Sequence, residues 1–212
     1  QLTDTGPMID AVRRMLELVD QLAAEGIALE HIDFGGGLGI RYASEAPPQP
    51  GDWVRALIRE MGTRPQTVLI EPGCSMVGNA GVLLTRVEFL KHGEVNNFAI
   101  VDAAMNDLLR PALYDAYHEV LPVKRVAAAR EEYDVVGPVC ESGDCLAMAR
   151  PLAIREGDLL SIQSAGAYGM SMSSNYNSRP RAAEVMVDGG SVHVIRARER
   201  VEDLYATERL LP

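Results

Sequence analysis

Two short apolar runs in the first eighty residues each end in a glycine-bearing turn, and a helix-like stretch precedes each of them. That alternation constrains the fold more than anything else in the chain. Met8, Val12, Met15, Leu16, Val19, Leu22 and Ala23 recur at helical spacing over residues 8–24. Thr5 and Pro7 suit the start of that helix and Gly26 its stop. The apolar run 32–34 then leads into Gly35-Gly36-Gly37. A second helix is expected over about 52–61, followed by the buried-strand pattern Thr67-Val68-Leu69-Ile70, which ends at Glu71-Pro72-Gly73. Strands joined through helices lie parallel, because a parallel pair needs a crossover connection.

Beyond residue 80 the texture changes to short β-rich runs at 84–90, 98–101, 133–139, 159–163, 184–187 and 191–195. The last two flank Asp188-Gly189-Gly190, a hairpin signal. Residues 197–211 read as a closing helix. The expected fold class is therefore α/β plus β. Residues 1–80 form the tail of an α/β unit, and residues 81–212 form an antiparallel β-domain.

Composition narrows the function. The net charge of −10 and the lack of a basic block argue against nucleic acid as a partner. No apolar run reaches the roughly 18 residues of a membrane helix, so no membrane is expected as a partner. Three cysteines in 212 residues make no disulfide framework, and the odd count fits a reducing, cytoplasmic setting. Zinc is not expected either. Cys140 and Cys145 are spaced C-x4-C, and His31, His92, His118 and His193 form no ligand pattern with them. The chain opens on Gln1 and runs straight into a helix, which leads us to expect an upstream part.

Five stretches carry possible chemistry. Gly35, Gly36 and Gly37 after a strand can expose N–H groups to a phosphate, or can simply form a tight turn. Glu71-Pro72-Gly73 ends the next strand, on the same edge of a parallel sheet. Glu71 there can face a cationic ring nitrogen or sit in an internal salt bridge. Arg110 lies amid apolar residues with Tyr114 four residues on, which suits carboxylate binding or an ordinary surface Arg. Cys140, next to Glu141, can donate a proton or pack as a small apolar group. Tyr168, among small residues, precedes the Ser/Asn-rich run 171–177; an exposed phenol and a plain connector both fit.

Taken together, HIDFGGGLGI, EPGCSMVGNAGVLLTRVEFLK, FAIVDAAMNDLLRPALYDAYHEV, VVGPVCESGDCLA and GDLLSIQSAGAYGMSMSSNYNSRPR resemble the diaminopimelate decarboxylases. These are pyridoxal 5'-phosphate enzymes of the alanine-racemase-like barrel class. The resemblance spans essentially the whole chain. It implies the C-terminal part of a (β/α)8 barrel followed by an antiparallel β-domain, in a homodimer with active sites at the interface. It also implies decarboxylation of meso-2,6-diaminopimelate, a small-molecule amino-acid substrate, to L-lysine.

By that resemblance Gly35, Gly36, Gly37, Pro72 and Gly73 line the phosphate, and Cys74 takes a position that borders both cofactor and substrate. Glu71 faces the pyridine nitrogen. Arg110 and Tyr114 bind substrate. Cys140 is the proton donor, reaching from the second subunit, and Glu141 binds the distal end of the substrate. Tyr168 touches cofactor and substrate. Two departures stand out. Cys74 occupies a position where the family carries a substrate-binding Arg. The family's cofactor-binding lysine is matched by neither Lys91 nor Lys124, so these residues alone are expected to be inactive. The rival readings are an ornithine, arginine or carboxynorspermidine decarboxylase of the same fold, and an inactive homologue that dimerises with an active partner.

Overall fold

The computed structural model describes residues 2–211. It divides into two compact units, Gln1–Ala80 and Gly81–Pro212.

In the first unit α1 (Gly6–Ala24) leads to β1 (His31–Asp33), then α2 (Pro50–Met61), β2 (Thr67–Leu69) and the short α3 (Gly73–Val77). Gly26, at φ +85°, turns the chain just past α1 in a conformation that side chains resist. The strands pair in parallel, with His31 opposite Thr67 and Asp33 opposite Leu69. Met8, Val12, Leu16 and Val19 of α1 meet Ile32, Leu38, Trp53, Leu57 and Met61 in one core. The buried stripe is narrower than the periodicity suggests, since Met15 stays exposed. A two-pronged contact from Arg13 to Glu60, at 3.1 and 2.9 Å, joins the outer surfaces of α1 and α2, and a 2.6 Å bond from Arg64 to Asp20 ties the turn after α2 to α1.

The second unit is a six-stranded sheet of order β5-β8-β3-β4-β6-β7. Its strands are β3 (Leu83–His92), β4 (Asn97–Val101), β5 (Val120–Pro122), β6 (Glu131–Val136), β7 (Cys145–Leu152) and β8 (Leu159–Ile162). A short helix α4 (Arg110–Tyr114) lies between β4 and β5. The expected antiparallel sheet is in fact mixed, because β4 and β6 run parallel. The chain between those two strands passes through α4 and β5, the long connection a parallel pair needs. The outer strands β5 and β7 approach each other, so the sheet nearly closes. Arg150 of β7 helps clip that seam. Its guanidinium stacks 4.2 Å over the Tyr117 ring and donates to the His118 carbonyl at 3.3 Å. Val87, Val101, Val135, Leu146, Leu160 and Ile162 fill the interior.

A separate hairpin, β9 (Glu184–Asp188) and β10 (Ser191–Arg196), follows, with both strands largely exposed. The closing helix expected over 197–211 shortens to one turn, α5 (Val201–Leu204). Its apolar residues do not find a core: Val201, Tyr205, Leu210 and Leu211 are all exposed, and packing is what sustains a helix of that length. No helix among the described residues is long and apolar enough to cross a membrane.

Candidate active site

Each unit carries its own share of the chemistry-bearing residues. In the first, both glycine turns sit at the C-terminal ends of the parallel strands β1 and β2. Gly35 has φ +68° and Gly37 has φ +91°, conformations open to glycine at little cost. The Gly35 N–H donates to Asp33 Oδ1 at 2.8 Å, and the Gly35 carbonyl accepts the Glu71 N–H at 2.8 Å. A Cβ on Gly36 would lie 2.2 Å from the Glu71 carbonyl oxygen, so the two turns press together only because that side chain is absent. The Gly73 N–H closes the second turn on the Glu71 carbonyl at 2.9 Å. Pro72 caps α3, and Cys74 within α3 is a half-buried free thiol. Among the described residues neither the Gly36 nor the Gly37 N–H donates to a protein acceptor. Two unspent donors at the end of a parallel sheet are the donor set a phosphate requires. The residues present therefore fit the phosphate end of pyridoxal phosphate.

In the second unit Asp144 organises the turn that presents Cys140 and Glu141. It is 5% exposed. Oδ1 accepts the Met105 N–H and Oδ2 the Val139 N–H, both at 2.7 Å. Gly137 packs so closely that a Cβ there would fall 2.4 Å from Asp144 Oδ2. Cys140 and Glu141 are held out as an exposed turn on this buried base. The Tyr176 hydroxyl donates to Glu141 Oε2 at 3.1 Å.

The bond to Met105 ties this turn to the segment 102–109, which leads into α4. Arg110 opens that helix, half-buried, and Tyr114 ends it, exposed. Asn106, 2% exposed, is the hub of the segment. Its amide donates to the Ser174 carbonyl at 3.2 Å, its carbonyl oxygen accepts from Arg179 Nε at 2.9 Å, and its backbone carbonyl accepts the Ser174 N–H at 3.0 Å. Arg179 Nη2 also donates to the Asp102 carbonyl at 2.6 Å. Burial is the main cause that pushes Asp107 above the usual aspartate range, opposed by the Ala104 N–H and by Arg179.

The segment 164–181 turns tightly through Tyr168 and leaves its side chain exposed. Ser164 and Tyr168 have positive φ, 58° and 59°, and a Cβ on Gly169 would meet the Ala165 carbonyl at 2.3 Å. Tyr168 is 47% exposed. Arg181 closes the segment, with Nη1 donating to Asn175 Oδ1 and Glu199 Oε1, each at 2.9 Å. The Glu199 carboxyl is held down to about 2, first by the Arg181 N–H and then by the Asn175 amide and the Arg181 side chain. A cleft of about 430 Å³ beside this segment is lined by Ser171 and Ser173 of the Ser/Asn-rich run, with Arg181, Glu184 and Arg196, and by none of the candidate cofactor- or substrate-binding residues.

Thus Gly35, Gly36 and Gly37 meet Glu71, Pro72 and Gly73 in one unit. In the other, Cys140 and Glu141 share a scaffold with the approach to Arg110, while Tyr168 lies in a separate tight turn. Sequence reasoning missed Asp144, Asn106, Tyr176, Arg179, Arg181 and Glu199. Two arginines flanking a proline after a Ser/Asn run, and an aspartate opening an apolar strand, were the available signals.

Residues 9–166 match the family described as pyridoxal-dependent decarboxylase, C-terminal sheet domain. The whole chain is 59% identical to the diaminopimelate decarboxylase of Pseudomonas aeruginosa, of which it covers 51%, and 53% identical to that of Vibrio cholerae, again covering 51%. The crystal structure of diaminopimelate decarboxylase from M. jannaschii in co-complex with L-lysine aligns over 100% of this chain and 50% of that one, at TM-score 0.94 and 38% identity. The chain spans about half the length of the curated relatives it matches.

Proposed function

Since this chain belongs to the pyridoxal-dependent decarboxylases, we propose that it is the part of a diaminopimelate decarboxylase that carries the phosphate cup, the proton donor and the selector of the substrate's far end. The reaction is decarboxylation of meso-2,6-diaminopimelate to L-lysine. The observation that carries this reading is that the likeness to diaminopimelate decarboxylases runs through both units, from one end of the chain to the other. The first unit is then the C-terminal part of a (β/α)8 barrel and the second its β-domain. The working form is a cytoplasmic homodimer with active sites at the interface.

Bound at the glycine turns, pyridoxal 5'-phosphate supplies an electron sink for loss of a carboxyl group from an amino acid. Gly36 and Gly37 would hold its phosphate through their unspent backbone N–H groups, with Gly35, Pro72 and Gly73 shaping the two turns around it. Glu71 keeps a ring nitrogen protonated. Arg110 and Tyr114 bind substrate, and Tyr168 orients both molecules. The Cys140 Sγ–H delivers a proton to the α-carbon after carbon dioxide leaves, a role that contributes about 10²–10⁴-fold. Glu141 takes the far-end ammonium. The Cys74 side chain lacks the forked N–H donors of the bidentate guanidinium that the resemblance leads one to expect there and cannot replace it.

The test is carbon dioxide release by the complete gene product carrying these residues, supplied with pyridoxal phosphate. Meso-diaminopimelate should be turned over, and ornithine, arginine and carboxynorspermidine should not. Preference for one of the latter would overturn the substrate assignment. Cys74 favours a second reading, an inactive homologue that dimerises with an active partner. That reading requires no turnover of any of these substrates and no cofactor absorbance band.

A further inference from the structure

Glu141 is a carboxylate held by hydrogen-bond donors and by no cation. Oε2 accepts the Tyr176 hydroxyl at 3.1 Å, and Oε1 accepts the Gly143 N–H at 3.4 Å. Among the described residues no Lys, Arg or His side chain pairs with it. A carboxylate on an exposed turn normally rotates freely in water. One fixed in orientation and left with open lone pairs is set up to receive a cation.

The donor is fixed as firmly as the acceptor. Tyr176 opens a single 3-10 turn, Tyr176–Ser178, in which Asn177 and Ser178 have φ +59° and +54°. Its N–H donates to Ser174 Oγ at 3.2 Å, and Ser174 is bonded through its own N–H and carbonyl to Asn106. On the far side, Asn175 donates to the Arg179 carbonyl at 3.0 Å and to Glu199 at 2.7 Å. The acceptor turn hangs on Asp144, whose partner Met105 is the neighbour of Asn106. One buried polar base therefore carries both the phenol and the carboxylate, and their separation is a property of the scaffold.

We propose that Tyr176 is a positioning residue whose phenol fixes the Glu141 carboxylate for the ammonium at the far end of the substrate. This rests on the role given to Glu141 above and adds to it the group that makes that role selective. The bond, followed by the charge of Glu141, raises the Tyr176 phenol above its ordinary value of 10. The phenol thus stays a donor throughout the neutral range.

The experiment is a double-mutant cycle on the complete gene product, with KM and kcat measured separately. Tyr176→Phe keeps the ring and removes the donor. KM for meso-diaminopimelate should rise about tenfold, or about 1.4 kcal/mol, while kcat stays within about twofold. In a Glu141→Gln background the same substitution should change KM by less than about twofold, because Tyr176 acts only through that carboxylate. Unchanged KM in Tyr176→Phe would overturn the proposal. So would KM effects that multiply across the cycle, which a merely structural tyrosine would give. An unsubstituted protein that prefers ornithine would instead strike the substrate reading, so the two failures are told apart.

Discussion

Gly36→Ala is the sharpest perturbation of the proposed phosphate cup. The added Cβ would fall 2.2 Å from the Glu71 carbonyl oxygen and 3.3 Å from its carbon. Backbone does not yield as a flexible side chain does, so the two turns must part by roughly an ångström to restore ordinary packing. Forcing a methyl into a filled site costs about 1–3 kcal/mol. The displacement also breaks the bond from the Glu71 N–H to the Gly35 carbonyl, 2.8 Å long, which sets one turn against the other. Loss of one or two donors to a charged phosphate then weakens cofactor binding by about 10- to 100-fold. Gly35→Ala is the matched control. Its Cβ meets nothing within 4 Å, and its only penalty is the positive φ of 68°, about 1 kcal/mol. Titrating pyridoxal phosphate into both variants of the complete gene product, and following the cofactor absorbance, reads the difference directly. Equal affinities for the two variants, or an undiminished affinity for Gly36→Ala, would refute the argument from close approach.

Other expectations follow from the same geometry. Asp144→Asn turns one acceptor oxygen into a donor facing a backbone N–H, and should cost about 2–3 kcal/mol in urea denaturation; an unchanged midpoint would show that this carboxylate does not hold the turn. Glu199 is held down to about 2, so the stability it contributes is complete above its ordinary 4.5 and is lost as pH falls toward 2. Glu199→Gln should flatten the acid limb of stability between those values in denaturation at pH 5 and pH 2, and an identical acid limb would contradict the assignment. Cys74→Arg should lower KM for the substrate by restoring a carboxylate partner, and an unchanged KM would discredit that idea.

The first unit was legible because its signals are local. The 3.6-residue spacing of Met8, Val12, Leu16 and Val19 and the run Thr67-Val68-Leu69 each declare an element within a few residues. The second unit was only half legible. The strand β7, Cys-Leu-Ala-Met-Ala-Arg-Pro-Leu, has no β-branched residue and contains Pro151, which this strand tolerates at the rim of the sheet. Three residues of β5 offer too little pattern to read. The parallel pairing of β4 with β6 joins strands about thirty residues apart in sequence, beyond the reach of periodicity. The closing helix expected over 197–211 shortens to Val201–Leu204, because Val201 and Leu211 stay exposed and add no buried face to sustain it.

The site shows the same division. Gly35, Gly36, Gly37 and Glu71 stood out as residue types at strand ends, and the structure brings their turns together. Tyr176 did not stand out, since its partner Glu141 lies 35 positions away and only the folded scaffold makes them neighbours.

Incubating the complete gene product with pyridoxal phosphate and meso-2,6-diaminopimelate, then resolving the amino acids formed by chiral chromatography, tests the account most directly. L-lysine should accumulate in step with the carbon dioxide released, and Cys140→Ala should slow its formation by about 10²-fold or more. Cofactor bound with no lysine formed, or lysine formed at the same rate without the Cys140 thiol, would contradict it.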